Sequence, residues 1–343
     1  MKTLKLILFL IGAPYLLSQP PNKTIYRTEI KSVNKGSFSE LQSLSDYKNT
    51  HFLSSMELPL STSKNGIYCA TFPIAWSKIK ETLLDSIYDF SSTELELVHQ
   101  TKGHLNILQA KEYKTSISIK KKSIVAEASF HKSLPFSTPM IANKIALSFQ
   151  GDRVRSFGFK GKHPGVRILY YNNDNDFALS ITPKEIGHEL ILIKTNFDSQ
   201  TNIKKEVKQL QNRIQLASKK NKAVPWKSRL YSFDRAEIPI INFNIEHRYP
   251  NIEKSFFINQ GEKYIVSKAY QKNAFSMDEN GAEIKSEALI QIQPPSRPYA
   301  IDEAIPKKMI LDDSFLILAK LTDNPNPYLA IFICNNELMC TFD

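Results

Sequence analysis

The side chains with most chemical promise are a few histidines and carboxylates, and their spacing decides what they can do. His188-Glu189 begins like a zinc-protease helix, where a second histidine must follow one turn later. Leu192 stands at that place, so the ligand pair is incomplete. Asn172, Asp174 and Asp176 have the alternate spacing of a calcium loop. Phe177 stands where glycine must make the sharp turn, and Pro183 where a bidentate glutamate must close the site. His99 and His104 lie five apart and read as surface residues. No GxSxG elbow, phosphate-binding P-loop, GxGxxG turn or CxxC pair occurs. No catalytic, cofactor-binding or metal-ligating residue is therefore assigned, and the chain is not read as an enzyme.

Composition narrows the class. The chain has 343 residues, 42% hydrophobic and 23% charged, as a soluble globular protein has. Residues 1–18 read as a secretory signal: Lys2 and Lys5 precede the apolar run from Leu6 to Leu17, and Ser18 offers a small residue for cleavage. That run is too short to span a bilayer, and no later stretch is long and apolar enough. The expected protein is thus secreted, extracellular or periplasmic, with no transmembrane span. Residues 19–343 are expected to form a single domain. The formal charge of +11 falls to +9 when Lys2 and Lys5 are removed. This excess admits a polyanion or an anionic cell surface as a partner. Aromatics are not interleaved with the basic clusters, which argues against nucleic acid. Cys69, Cys334 and Cys340 allow at most one disulfide; Cys69 and Cys334 sit in apolar runs and read as small buried hydrophobes.

The elements that must position any site are mostly strands. AWSKIKETLLDSIYDF predicts a helix with Trp76, Ile79, Leu83, Leu84 and Ile87 at helical spacing. IKKEVKQLQNRIQLASKK predicts a second, with Val207, Leu210, Ile214 and Ala217 on one face. Several strands are expected between Glu94 and Lys132, then RVRSFGFKG, GVRILYY, FALSITP and ELILIKTNF as antiparallel neighbours. AEIPIINFNIEHRY and KYIVSKAYQKNAFSM add more, and DDSFLILAKLTD with YLAIFICN reads as a closing hairpin. Strands drawn from both halves with few helices give an α+β protein with large sheets. One stretch is unusual. Phe275 and Met277 are apolar at odd positions; after Asp278-Glu279-Asn280-Gly281, the small or apolar set becomes Ala282, Ile284, Ser286, Ala288, Ile290 and Ile292. The phase shifts by one residue. A bulge or hinge at Gly281, using glycine's free dihedrals, is the expected cause.

IVSKAYQKNAFSMDENGAE resembles the central strand and proximal hinge of serpins, which end in Glu-x-Gly; Glu279 and Gly281 match that pair. IVAEASFHKSLPF, AEIPIINFNIEHRY and the closing hairpin follow in the family's order, and GIYCATFPIAWSKI resembles the strand and helix that carry its shutter serine. The shutter Ser-Pro pair is not reproduced at Cys69 to Pro73, and the interval before IVAEASF is short for the family's usual helices. The resemblance spans residues 65–335. It implies a large central sheet, a second smaller sheet or barrel, and a reduced set of helices. It also implies an exposed reactive loop that a serine or cysteine protease cuts and that then inserts into the sheet as a strand. The hinge would comprise Glu279, Gly281, Ala282, Ile284, Ser286 and Ala288. The bait would lie between Gln293 and Lys308, with Arg297, Lys307 and Lys308 as basic candidates; Pro298 makes Arg297 poor bait. The alternative is a non-inhibitory binding protein on the same scaffold.

Overall fold

The computed structural model describes residues 38–84, 86–104, 106–120, 123–220, 224–284 and 305–342. Residues 1–18, read as a signal, lie outside them, as do Ser286, Ala288, Gln293 and Arg297.

In chain order, β1 (Gln42–Ser43), β2 (Thr50–Leu53) and β3 (Asn65–Cys69) precede helix α1 (Thr71–Thr82). β4 (Ile87–Tyr88), helix α2 (Thr93–Gln100) and a long hairpin of β5 (Tyr113–Lys120) and β6 (Ser123–Phe130) follow. Five short strands come next: β7 (Lys132–Pro135), β8 (Ile141–Ala142), β9 (Leu147–Phe149), β10 (Asp152–Val154) and β11 (Ser156–Lys160). Then come β12 (Val166–Asn173), β13 (Asp176–Ile181), β14 (His188–Lys194) and helix α3 (Ile203–Lys220). β15 (Arg235–Pro239), β16 (Ile241–Arg248), β17 (Phe256–Asn259), β18 (Glu262–Ile265), β19 (Tyr270–Asp278) and β20 (Gly281–Ile284) lead to the undescribed segment. β21 (Lys308–Ile310), β22 (Phe315–Leu321) and β23 (Pro327–Ile333) close the chain.

A strand apolar at every position belongs in a sheet covered on both faces. β14 and β23 are buried throughout, and β22 at all but its last residue. They lie at the centre of a seven-stranded sheet of order β12-β13-β14-β22-β23-β3-β2. A four-stranded sheet has the order β21-β15-β11-β8, and a five-stranded sheet the order β1-β16-β19-β20-β7. The fold is α+β, rich in strand and poor in helix, as expected.

Two local expectations are corrected. α1 starts at Thr71 and takes Pro73 into its first turn, where a missing N–H costs nothing. It stops at Thr82; Leu84 has φ 57°, outside helical space, and Ile87 pairs as a strand with Asn259. The region after Glu94 begins as α2 instead of a strand: Ser92 caps it by accepting from Leu95 N–H, and Leu95 and Val98 supply its buried face.

Candidate hinge and adjoining strand edges

β19 has an alternating face. Gln271, Asn273, Phe275 and Met277 are buried, whereas the even positions are exposed or half-buried. β16 pairs with it along its length, from Ile241 opposite Met277 to Arg248 opposite Tyr270. The chain then turns through Glu279 and Asn280, and β20 returns antiparallel, with Gly281 opposite Asp278 and Ala282 opposite Met277. On its other side β20 pairs antiparallel with β7, setting Ala282 opposite Leu134 and Ile284 opposite Lys132. The turn is held by Met140 N–H donating to Glu279 O and Phe136 N–H to Asn280 O, both at 2.8 Å.

This geometry corrects the cause expected for the phase shift. A two-residue hairpin turn sets odd positions opposite even ones by itself, so no bulge is required. Gly281 is absent from the positive-φ positions. Its role is close approach: an added Cβ would stand 2.5 Å from Pro135 Cα and 2.7 Å from Leu134 O. Ala282 and Ile284 are 2% and 6% exposed and share the buried face of Met277 and Leu134.

Below β20 the sheet is unfinished among the described residues. Amides of alternate residues point to opposite edges of a strand. The two-residue turn closing β19 and β20 directs the even-numbered amides of β19 toward β20. Phe136 N–H, also even, points to β20. β5 and β6 close on Lys120 and Ser123, so the odd-numbered amides of β6 bond to β5. From Ile124 to Leu134 no even position is more exposed than its odd neighbours, so β6 and β7 keep one phase and form one line. The even amides of β6 therefore face the edge on which β20 lies. Among the described residues no ladder joins β6 to β19, which leaves two free strand edges beneath β20. α1 packs against β5, β6 and β19 and so underlies both.

Polar side chains line this floor. Gln271 Nε2 donates to Cys69 O at 3.0 Å and to Thr71 Oγ1 at 2.6 Å, and Tyr249 OH donates to Gln271 Oε1 at 2.6 Å. Asn273 is 7% exposed, and its Nδ2 has no hydrogen-bond partner among the described residues. That is an unusual loss for a buried amide.

Beside the end of β20 lies a charged cluster. Lys132 Nζ donates to Glu112 Oε1 at 2.5 Å and Glu185 Oε1 at 2.8 Å. His188 Nε2 lies 2.8 Å from Glu112, and its Nδ1 3.1 Å from Tyr328 OH. Burial opposes ionisation of Glu112, but the bonds from Lys132, Gln109 N–H and His188 hold its carboxyl below the usual range. Burial, reinforced by the Lys132 ammonium, pushes the His188 imidazole below its ordinary value. Glu112, Glu185 and His188 bring donor atoms near one another, yet the cation between the two carboxylates is the lysine. Sequence reading missed this cluster. Its signal was Lys132 itself, a charge in phase with Phe130 and Leu134 on a buried face.

The bait candidates fare differently. Lys307 is fully buried and is not presented to a protease. Its Nζ pairs with Asp234 Oδ2 at 2.9 Å, donates to Trp226 O at 3.1 Å, and lies over the rings of Trp226 and Tyr231. Lys308 is exposed, but its backbone opens β21, parallel to β15. Of the other motifs, Asn172 to Asp176 forms the β12–β13 hairpin turn, with Asn172 bonded to Asp176. His188 and Glu189 are adjacent on β14, where neighbours face opposite sides. His104 is buried and bonded to Ser77, not a surface residue. All three cysteines are free, Cys69 and Cys334 buried.

No family profile and no curated protein matches the sequence. Among solved structures, Serpin48 of the insect Tenebrio molitor matches at 13% identity and a TM-score of 0.36, over 63% of this chain and 57% of that one. A serpin of the trematode Schistosoma haematobium matches at 11% and 0.37, over 63% and 58%. A thyroxine-binding globulin, solved with thyroxine, matches at 12% and 0.34, over 64% and 58%. The chain thus spans under three-fifths of each. The chain is thus similar, at low identity and over part of each length, to two serpins and to a thyroxine-binding globulin.

Proposed function

We propose that this is a serpin-like protein in which the chain after Ile284 can enter the sheet as a strand, and that this insertion serves to inhibit a serine or cysteine protease that cuts it. The observation that carries the reading is β20 itself, paired on both sides above two free strand edges. Continuing both registers would set Ser286 opposite Asn273 and Phe130, and Ala288 opposite Gln271 and Ala128. The even set Ser286, Ala288, Ile290 and Ile292 would then share the buried face of Ala282 and Ile284. A serine beside the unpartnered Asn273 amide would repair a buried polar defect. The scissile bond belongs upstream of the Lys307 anchor, between Gln293 and Ile305.

Incubation with a panel of serine and cysteine proteases tests inhibition. A protease complex that survives SDS is expected; clean cleavage with full residual protease activity rejects it. The signal reading of residues 1–18 is tested by N-terminal sequencing of exported protein, with a new terminus near Gln19 expected.

A second reading, a non-inhibitory polyanion-binding protein, has one supporting feature. Lys204, Lys205, Lys208 and Lys219 are exposed on α3, whereas Glu206, its one acid, is buried and bonded to Thr201. Lys204 is paired with Glu57 at 2.8 Å, which reduces that field. Salt-sensitive retention on heparin, lost when Lys205 and Lys208 become Gln, would favour it.

A further inference from the structure

We propose that Lys132, Glu112, Glu185 and His188 form an acid-sensitive clamp that fixes β7 as the rigid wall beside β20 and sets how readily the sheet accepts more strand. This regulatory role rests on the strand-insertion reading above.

The cluster joins elements remote in sequence. Lys132 comes from β7, Glu112 from the turn before β5, Glu185 from the loop between β13 and β14, His188 from the start of β14, and Tyr328 from β23. These are the charged and titratable groups that face the imidazole: Glu112 at 2.8 Å, Glu185 at 3.6 Å, Tyr328 OH at 3.1 Å, and Lys132 through the shared carboxylates. β7 has four residues and lies at the sheet's end, so few ladder bonds hold it. Pro135 O at one end accepts from Lys184 N–H at 2.8 Å; at the other the Lys132 side chain holds Glu112 and Glu185, and Glu112 in turn meets His188 of the seven-stranded sheet. Lys132 also stands opposite Ile284, where the described part of β20 ends. Whatever loosens Lys132 loosens the wall that the next residues must pass.

Protonating His188 brings a second cation to carboxylates already committed to Lys132. The imidazolium competes for Glu112 and Glu185, and the hold on Lys132 weakens. Burial and then the Lys132 ammonium oppose protonation of His188, and by the same repulsion a protonated His188 opposes Lys132. His188 resists protonation in the folded protein, so the clamped state is fully favoured above the ordinary histidine value near 6.5. It loses ground as pH falls through that value. Lys132 is then a positioning residue, acting through β7 without touching a protease.

Hydrogen exchange on the uncut protein tests the clamp directly. After correction for intrinsic rates, the β7 amides should lose about tenfold protection relative to β23 between pH 7.5 and 5.5. His188→Gln can keep a hydrogen bond to Tyr328 but cannot titrate; it should fold and show no such loss. Lys132→Arg should retain the pH dependence. Equal protection at both pH values, or an undiminished loss in His188→Gln, would overturn the clamp. The rate at which melting temperature rises after a single cut between residues 293 and 304 should be about tenfold faster at pH 5.5 than at 7.5. A normal exchange result with no thermal gain at either pH would reject the insertion reading and, with it, the regulatory role.

Discussion

The two ends of the segment between Ile284 and Lys307 are fastened by opposite chemistry. Upstream, β20 is held by main-chain pairing on both sides and by two apolar side chains, Ala282 and Ile284. Nothing in that arrangement is particular to four residues; the same edges run on below it. Downstream, the main chain is also paired, with β21 beside β15 and Lys307 O accepting from Arg235 N–H at 3.0 Å, but what sets this end apart is a buried charge. The Lys307 ammonium meets Asp234 in a fully buried pair, and its backbone N–H donates to the other oxygen of the same carboxylate at 2.9 Å. A charge buried there is tolerable only in that geometry. Among the described residues one end leaves strand edges open and the other holds the chain in place. The proposed insertion needs both.

Breaking the fixed point should have the largest effect. Asp234→Ala leaves the Lys307 ammonium buried among aromatic rings with Trp226 O as its remaining acceptor, and also removes the acceptor of Tyr231 N–H. Loss of about 3–5 kcal/mol of unfolding free energy is expected by denaturant titration. A loss under 1 kcal/mol would show that the downstream end is not anchored as described. At the other end, Gly281→Ala drives a Cβ into the β7 backbone. A loss of about 1–3 kcal/mol is expected, with exchange protection falling in β20 and β7 and not in β21. Ala at Gly281 without cost would mean that the close approach is absent.

Acid should sharpen the contrast. His247, on β16 opposite Gln271, is held at about 4 by burial, with His51 adding to the effect. It stays neutral in the fold, whereas the unfolded imidazole binds a proton near 6.5. Stability is therefore full above about pH 6.5 and falls as pH drops toward 4. Melting curves between pH 7 and 4.5 should show this decline, and His247→Gln should lessen it, leaving the share carried by His104, which burial also holds at about 4. The Lys307 anchor contains no histidine, so protection of β21 should follow the decline least. The smallest effect belongs to Glu283→Gln. Glu283 is half-buried on the side of β20 away from Ala282 and Ile284, and a change within about 0.5 kcal/mol is expected.

The contrast also explains what could be read from sequence. The closing hairpin was legible because β22 and β23, Lys320 apart, are apolar residue after residue. The alternating faces of β19 and β20 were legible because each has period two. The turn between them was visible by composition, but its length was not, and a two-residue turn mimics a bulge in its effect on phase. Gly281 looked like a dihedral requirement because sequence shows a missing side chain and not the strand pressed against it. Lys307 looked exposed because lysine usually is; its partner Asp234 is 73 residues away in sequence and invisible to local pattern. Lys132 was overlooked for the same reason, since its partners come from distant elements. α1 ran too far in sequence because Leu83, Leu84 and Ile87 continue its apolar spacing, while the turn that ends it is set by pairing with β17.

The melting temperature before and after one cut between residues 293 and 304 tests the central claim most directly. Insertion of about eight residues, burying Ala288, Ile290 and Ile292, should raise it by about 10 °C. An unchanged or lower melting temperature in the cut protein would contradict the account.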